Sequence, residues 1–394
     1  MKKLVMLSAF VLPALGISAQ ETTGYQFSTV KENPVTSIKN QGNSGTCWSF
    51  SGIGFLESEV IRMGKGEHDL SEMYIVRRNY ADKAGKYVRV GGNLNFAQGG
   101  SFADVMETLN EYGVFPDEAY TGLNYGETTH KHGEVEAGLS GYVKGISENR
   151  NKRISPVWMQ GLNGILDAYF GTVPTEFLYN GKSYTPESFR RLLGLEADNY
   201  ISLTSFTHHP FYAPFAIEIP DNWRWALSYN LPIDEMMQTI DHALDKGYTV
   251  AWATDVSETG FTRNGLAVIP DDEAPENIGS DQARWLGLSQ SEKNNHIKSK
   301  IEQGPVTEKA ITQEMRQIAY DNHETTDDHG MQIYGIAKDR NGNKYYMVKN
   351  SWGETGAYKG IWYASEAFVK YKTMSIVINR GALPKYIAGK LGLK

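Results

Sequence analysis

The chain has 394 residues, of which 40% are hydrophobic and 12% aromatic, and it carries a formal net charge of −7 at pH 7. This composition is typical of a globular protein with a large core and not of a disordered one. An acidic chain without basic runs argues against nucleic acid as a partner, and the length predicts two or three lobes.

The amino terminus has the pattern of a cleavable signal peptide. Two lysines precede the apolar stretch 4–17, and Ser18 and Ala19 follow it as small residues. The stretch is short for a membrane span, which needs about 20 apolar residues. We therefore predict a signal peptide over 1–19, cleaved near Ala19, and export to the periplasm or beyond. An uncleaved anchor is the alternative, and no membrane contact is expected after cleavage.

Helical periodicity dominates the next part of the chain. Apolar residues recur at helical spacing over 46–63, and two further helices are predicted over 70–80 and 102–112. A glycine-rich loop, 91–102, separates the last two. Residues 121–160 are polar with scattered glycines, and their pattern favours no single element.

The rest of the chain changes from a mixed pattern to a β pattern. Two helices and one buried strand are predicted first, over 186–195, 233–246 and 248–256. In the carboxy-terminal quarter, Asn341 and Gly342 form a strong hairpin signal between two predicted strands. The chain is therefore helical in its first third and sheet-like in its last quarter.

Cys47 is the only cysteine, so it cannot form a disulfide within the chain. The first predicted helix begins beside it, and the unpaired N–H groups and the dipole of a helix amino terminus favour a thiolate. Packing of the thiol beside Trp48 and Phe50 is the alternative, because free cysteines are often buried as small hydrophobes. A lone thiol in an exported protein is nevertheless a candidate nucleophile.

A nucleophilic thiol needs a base, and His329 is the best placed of the nine histidines because it begins the β segment at the edge of a polar loop. Asn350 lies 21 residues further on, across the predicted hairpin, so the two residues return to the same end of two strands. An asparagine there would hold the imidazole in one tautomer. A capping or surface histidine is the alternative interpretation.

Two further residues complete the predicted site. The backbone N–H of Cys47 and the side-chain amide of Gln41 are candidate donors to a developing oxyanion. Trp352 is expected to shield the bond between His329 and Asn350 from water, which would strengthen it.

Together these motifs resemble the papain-like (C1) cysteine peptidases, in which glutamine, cysteine, histidine and asparagine occur in this order. The residues that carry the resemblance lie in QGNSGTCWSF, DDHG and KNSWG. The resemblance implies an α+β fold with a helical lobe, a β-barrel-like lobe and a cleft between them. It also implies a thioester formed by Cys47, with His329 as base and acid. Substrate is expected to contact the backbone of Gly99 and Gly100 and also Trp352.

Other residues resemble one branch of this family, the bleomycin hydrolase and aminopeptidase C branch. Many secreted papain-like enzymes have a disulfide cysteine three residues before the nucleophile, where this chain has Ser44. Segments 70–84, 98–120 and 231–256 resemble that branch in order, so the resemblance covers most of residues 35–380. Assembly into a homo-oligomer is left open, because the insertion is shorter than in the larger members.

The resemblance divides the chain into four parts. After the signal peptide, 20–120 is predicted to be the helical lobe with the nucleophile, and 121–245 a mixed, mostly helical insertion. Residues 246–394 are predicted to be the β-rich lobe with the histidine and asparagine.

The expected function is that of an exported, aminopeptidase-like cysteine peptidase that acts on peptides without a cofactor or metal ion. In the named branch, a carboxy-terminal tail lies in the cleft and restricts cleavage to free amino termini. Here only 381–394 follows the last predicted strand. The unprimed end of the cleft is therefore expected to be open. Aminopeptidase action would then need another feature to block it, and part of 121–160 is the candidate. Endopeptidase or dipeptidase action, another acyl transfer and a non-catalytic peptide-binding scaffold are the alternatives.

Overall fold

The computed structural model describes residues 24–151, 153–271 and 289–393. The predicted signal peptide over 1–19 lies outside these residues. Within the described ranges, no helix has the length and apolar character needed to cross a membrane.

The described residues form helices and strands throughout both halves of the chain. The helices are α1 (Cys47–Arg62), α2 (Glu72–Arg89), α3 (Phe102–Tyr112), α4 (Gly133–Ser147), α5 (Trp158–Phe170), α6 (Pro186–Leu193), α7 (Ile233–Asp245), α8 (Gln290–Gln303), α9 (Gln313–Asp321), α10 (Glu366–Lys372) and α11 (Lys385–Lys390). The strands are β1 (Phe27–Glu32), β2 (Phe177–Tyr179), β3 (Lys182–Tyr184), β4 (Tyr200–Thr204), β5 (Pro214–Ala216), β6 (Leu227–Asn230), β7 (Val250–Thr254), β8 (Leu266–Ala267), β9 (His329–Asp339), β10 (Lys344–Lys349), β11 (Ile361–Ser365) and β12 (Thr373–Asn379).

Most of the predicted elements are confirmed within a few residues. The exception is α2, which was predicted to end at Tyr80 and continues to Arg89. The extra turns carry Lys83 and Ala84 on the buried side, so the helix continues although its sequence there is polar.

One large sheet holds the carboxy-terminal half of the chain together. Its strand order is β5-β6-β4-β12-β7-β9-β10-β11-β8, and β1 pairs with β9. In the hairpin of β9 and β10, Lys338 faces Lys344 and Gln332 faces Lys349. The turn between them contains Gly342 at φ 85°, a conformation that favours glycine. The predicted hairpin is therefore confirmed, and residues 329 and 350 lie at the same end of it.

The helix α1 lies between the two lobes and is buried almost all round. It packs against α2 and α3 on one side and against β7 and β9 on the other. Phe55, Leu56 and Val60 are fully buried. A Cβ atom on Gly52 would fall 2.7 Å from Val105 of α3, so the glycine permits the close approach of the two helices. The first residue of α1 is thus placed at the junction of the lobes.

The segment 121–245, predicted to be one insertion, contributes to both lobes. Its helices α4 and α5 pack against α2 and belong to the helical core. Its strand β4 instead pairs with β12, and α7 packs on the sheet. The pairing of β4 with a strand some 170 residues later leaves no local mark in the sequence, because strand partners are chosen by tertiary packing.

Candidate active site

Cys47 is the first residue of α1 and is partly exposed. Thr46 occupies the N-cap position, but its side chain makes no capping hydrogen bond. Its Oγ1 lies 2.6 Å from Oγ of Ser44 instead. The first turn contains no acidic residue. The partial positive charge of the helix terminus therefore acts on the thiol without a carboxylate of that turn to offset it.

The side chains of His329 and Asn350 form a hydrogen bond of 2.8 Å between Nε2 and Oδ1. The backbone N–H of Ser351 also donates to Oδ1 of Asn350, at 2.7 Å. Because a backbone N–H needs an acceptor, this second bond fixes which amide atom faces the histidine. Nε2 of His329 must then carry the proton, and Nδ1 is left as the base.

A single cavity of about 220 Å³ brings Cys47 and His329 together between the lobes. Gly330 lies against the start of α1, where a Cβ atom would fall 3.2 Å from Cα of Trp48 and 2.7 Å from Oγ of Ser51. The absence of a side chain at this position therefore permits the close approach of the strand that carries the histidine to the helix that carries the cysteine.

Burial raises the pKa of the Cys47 thiol to about 12 and lowers the pKa of His329 to about 4. Backbone hydrogen bonds of Gly330 and Trp48 oppose the first shift, and the bond to Asn350 opposes the second. A single charge on either group is therefore disfavoured. Transfer of the thiol proton to the imidazole creates two opposite charges together, and their attraction offsets the lost hydration.

The side chain of Gln41 is held in place from both ends of its amide. Nε2 donates to the carbonyl oxygen of Ser44 at 2.7 Å, and Oε1 accepts from Oγ of Ser351 at 2.6 Å. These bonds tie the loop before Cys47 to the end of β10. Gln41 does not itself line the cavity, so its role as an oxyanion donor stays a prediction.

Trp352 covers the imidazole of His329, with 4.7 Å between the ring centroids. Phe261 and Trp362 pack on the other sides of the indole. This aromatic cluster limits the access of water to the bond between His329 and Asn350, as the sequence predicts. Trp352 does not line the cavity, so its contact with substrate stays a prediction.

Gly99 and Gly100 both line the cavity that contains Cys47. A Cβ atom on Gly100 would fall 2.8 Å from the indole of Trp48. The buried Lys83 donates to the carbonyl oxygens of Ala97, at 3.0 Å, and of Gly99. These hydrogen bonds from Lys83 hold the glycine loop in place, and Gly99 and Gly100 of the loop line the cavity.

The residues of the remaining walls are not among those predicted from the sequence. Ile219 and Asp221, which follow β5, line the cavity together with Asp327. Asp327 stands two residues before His329, within the motif already identified. Nothing local marks the other two, because their segment reaches the cavity through the pairing of β5 and β6. None of the lining residues comes from 121–160, the segment predicted to close the cleft.

One group of three potential metal ligands occurs among the described residues. Nε2 of His208 lies 3.1 Å from Glu218, and Nε2 of His209 lies 3.0 Å from the same carboxylate. All three donor atoms lie within 4.8 Å of one another. None of these residues lines the cavity of Cys47, so a metal ion bound there would not touch the thiol.

Two known protein families match the two parts of the chain that contribute the residues of the site. The papain family cysteine proteases match residues 24–161, which include Cys47, and the peptidase C1-like family matches 305–392, which include His329 and Asn350. The chain belongs to the papain family of cysteine peptidases. This papain-family peptidase is accordingly a hydrolase, and the predicted family is confirmed.

Several relatives match this peptidase over most of its length. Aminopeptidase G from Lactobacillus delbrueckii subsp. lactis is 22% identical over 404 residues, which cover 91% of this chain and 84% of the relative. Aminopeptidase C from the same organism is 21% identical over 392 residues, which cover 89% and 80%. These matches confirm the resemblance to the aminopeptidase C branch.

A solved structure supports the fold. The crystal structure of PepW from Lactobacillus rhamnosis HN001 superposes with a TM-score of 0.69 at 18% identity, covering 93% of this chain and 84% of PepW. The predicted papain-like α+β fold is therefore confirmed.

Proposed function

We propose that this peptidase is exported and that it removes residues from the amino termini of peptides through a thioester on Cys47. The observation that supports the proposal most directly is the shared cavity of Cys47 and His329, in which Asn350 orients the imidazole. The peptide substrate class is consistent with the names of the long relatives, aminopeptidases G and C.

In the proposed first step, the proton of the Cys47 thiol moves to Nδ1 of His329. The sulfur attacks the carbonyl carbon and forms a C–S bond, and the oxyanion accepts hydrogen bonds from the N–H of Cys47 and from Gln41. The C–N bond then breaks as His329 returns the proton to the leaving amine. In the second step, water gives a proton to His329 and attacks the thioester. The C–S bond then breaks, and His329 returns that proton to the sulfur to regenerate the thiol.

The proposal of an amino-terminal mode rests on the size of the cavity. Its volume of about 220 Å³ is smaller than the ~300–1,000 Å³ typical of ligand pockets. Ile219 and Asp221 occupy the wall near Gly99, so the space beside Cys47 suits a short acyl segment better than a long chain.

Fluorogenic amides test the mechanism and the mode together. Purified wild type, Cys47→Ala and His329→Ala are each given aminoacyl and dipeptidyl amides, with the amino group free or acetylated. We expect wild type to cleave the free-amine substrates and both variants to lose activity, with thermal melts that show the variants still folded. Undiminished activity of Cys47→Ala would overturn the thioester mechanism. Preferential cleavage of the acetylated substrates would indicate endopeptidase action instead.

Export is tested separately with the full chain and its own amino terminus. After expression in a bacterium with a periplasm, we expect the protein in the osmotic-shock fraction, with a mass that corresponds to cleavage near Ala19. An intact amino terminus in the cytoplasmic fraction would contradict this part of the proposal.

A further inference from the structure

Residues 217–226 connect β5 and β6 and form a strap that contributes Ile219 and Asp221 to one wall of the cavity. Its base belongs to the large sheet, since β5 and β6 pair with each other and β6 pairs with β4. Its tip reaches the helical lobe, where Nε1 of Trp223 donates to Asp104 at 3.2 Å. The strap therefore crosses from one lobe to the other.

Charged contacts hold the tip of the strap in place. Arg224 donates to the fully buried Asp104 at 2.6 Å and to Asp82 at 2.8 Å, so that it binds α3 and α2 together. Nζ of Lys86 donates to the carbonyl oxygen of Arg224 at 3.0 Å and lies 3.5 Å from the ring centroid of Trp225. The strap is thus a fixed wall of the cavity.

This wall presents Asp221 directly to the glycine loop. Asp221 lies so close to Gly99 that a Cβ atom on the glycine would overlap its carboxylate. Among the described residues, Asp221 forms no ion pair, and its one hydrogen bond, from Asn95, is long at 3.5 Å. Asp221 lines the same cavity as Cys47.

Three aspartates line the cavity: Asp221, Asp327 and Asp328. Burial and the neighbouring carboxylates raise the pKa of Asp327 to about 8, so Asp327 is mostly protonated at neutral pH. Among the described residues, neither Asp221 nor Asp327 forms an ion pair, and Lys372 pairs with Asp255 and Glu258 instead. The positive charge of Lys83 lowers the pKa of Asp221, but Nζ of Lys83 donates its hydrogen bonds to two carbonyl oxygens of the glycine loop. Burial raises the pKa of Asp221, as expected for a carboxylate that lacks a partner in its site.

We infer that Asp221 binds the amino-terminal ammonium of the substrate, and that the 217–226 strap limits how much chain lies between that ammonium and Cys47. This inference rests on the proposed function and adds the residue that selects free amino termini. The strap blocks the path of a longer chain past Gly99. An ammonium group bound beside the strap would give the carboxylate of Asp221 the ion-pair partner that it lacks. A lysine or arginine side chain shares this chemistry, so the test must separate the two sources.

Three substrates of the same length test the inference: a free dipeptidyl amide, its des-amino analogue and an acetylated dipeptidyl amide that contains lysine. Wild type is compared with Asp221→Asn, Asp327→Asn and the exposed remote control Asp245→Asn. We expect Asp221→Asn to lower kcat/KM for the free amine by about 10- to 100-fold and to leave the des-amino analogue within about twofold, because only a charge-assisted bond is lost. Mass spectrometry of the products then counts the residues released.

The other outcomes each have one meaning. An unchanged preference of Asp221→Asn for the free amine would overturn the inference and leave the amino-terminal mode standing. A loss of that preference in Asp327→Asn alone would assign the ammonium to Asp327 and also overturn it. A selective loss on the lysine-containing substrate would show a side-chain pocket instead. If wild type itself has no preference for free amines, the proposed mode fails, whatever the variants do.

Discussion

Gly330 lies so close to Trp48 that a Cβ atom on the glycine would fall 3.2 Å from the tryptophan Cα. Gly330 directly follows His329 in the chain, and Trp48 directly follows Cys47. The distance between the two lobes at the candidate active site is therefore set by backbone contact between β9 and α1. Oγ of Ser51 lies still closer to that Cβ position, at 2.7 Å, and it is held by a hydrogen bond to the carbonyl oxygen of Cys47.

We expect Gly330→Ala to lower kcat/KM by about 10- to 100-fold, because displacements well under 1 Å misalign reacting groups. Overpacking should also cost about 1–3 kcal/mol of folding free energy. Steady-state kinetics and denaturant unfolding measure the two effects. Gly138→Ala is the matched control, since it lies in α4 with open space around it. Equal activity of the two variants would contradict the close-contact explanation.

Removal of the Asn350 side chain should affect the rate constant more than substrate binding. In Asn350→Ala the imidazole loses the bond that fixes its tautomer, and we expect kcat to fall by about 10- to 100-fold with little change in KM. That bond raises the pKa of His329. Its loss lowers the pKa, so the acidic limb of the pH profile, where the base becomes protonated, should move to lower pH. A fall in kcat with no shift of that limb would argue for a general packing defect.

The ion pairs of Arg224 should contribute more to the free energy of unfolding than exposed ion pairs do. Arg224→Ala leaves the carboxylate of Asp104 fully buried without its partner, and we expect a loss of about 3 kcal/mol in the free energy of unfolding. Arg191→Ala removes an exposed pair with Glu187 and should cost at most about 0.5 kcal/mol. Denaturant titration compares the two. Similar losses would show that the strap is not anchored by its buried charges.

A buried histidine outside the site should make stability depend on pH. Burial lowers the pKa of His132 from 6.5 to about 3, and neither ring nitrogen has a hydrogen-bond partner among the described residues. Below pH 6.5 the unfolded chain binds a proton there that the folded chain does not, so wild type loses stability as the pH falls. We expect His132→Phe to gain stability relative to wild type by about 1.4 kcal/mol per pH unit between pH 6 and 4.

Unfolding curves at pH 6, 5 and 4 give this difference directly. The ring of Phe170, 5.2 Å from that of His132, offers an apolar contact for the new side chain. A difference between variant and wild type that stays constant with pH would contradict the assignment.

The chain by itself determined the chemistry of the site to a large extent. The helix that begins at Cys47 and the hairpin that joins His329 to Asn350 are local structures, produced by apolar periodicity and by a glycine in the turn. Local patterns of this kind depend on neighbours a few residues away, so the sequence displays them. The motifs that contain these residues were therefore sufficient to predict the family.

Only the tertiary structure decided what closes the cavity. The segment expected to take this role, 121–160, packs on the helical lobe instead, while the 217–226 strap contributes Ile219 and Asp221 to the wall. The position of Asp221 beside Gly99 depends on the pairing of β4 with β12 and on Arg224 reaching α2 and α3. These contacts join residues more than 100 positions apart. Such contacts follow from the packing of whole faces, which no short segment of the sequence encodes.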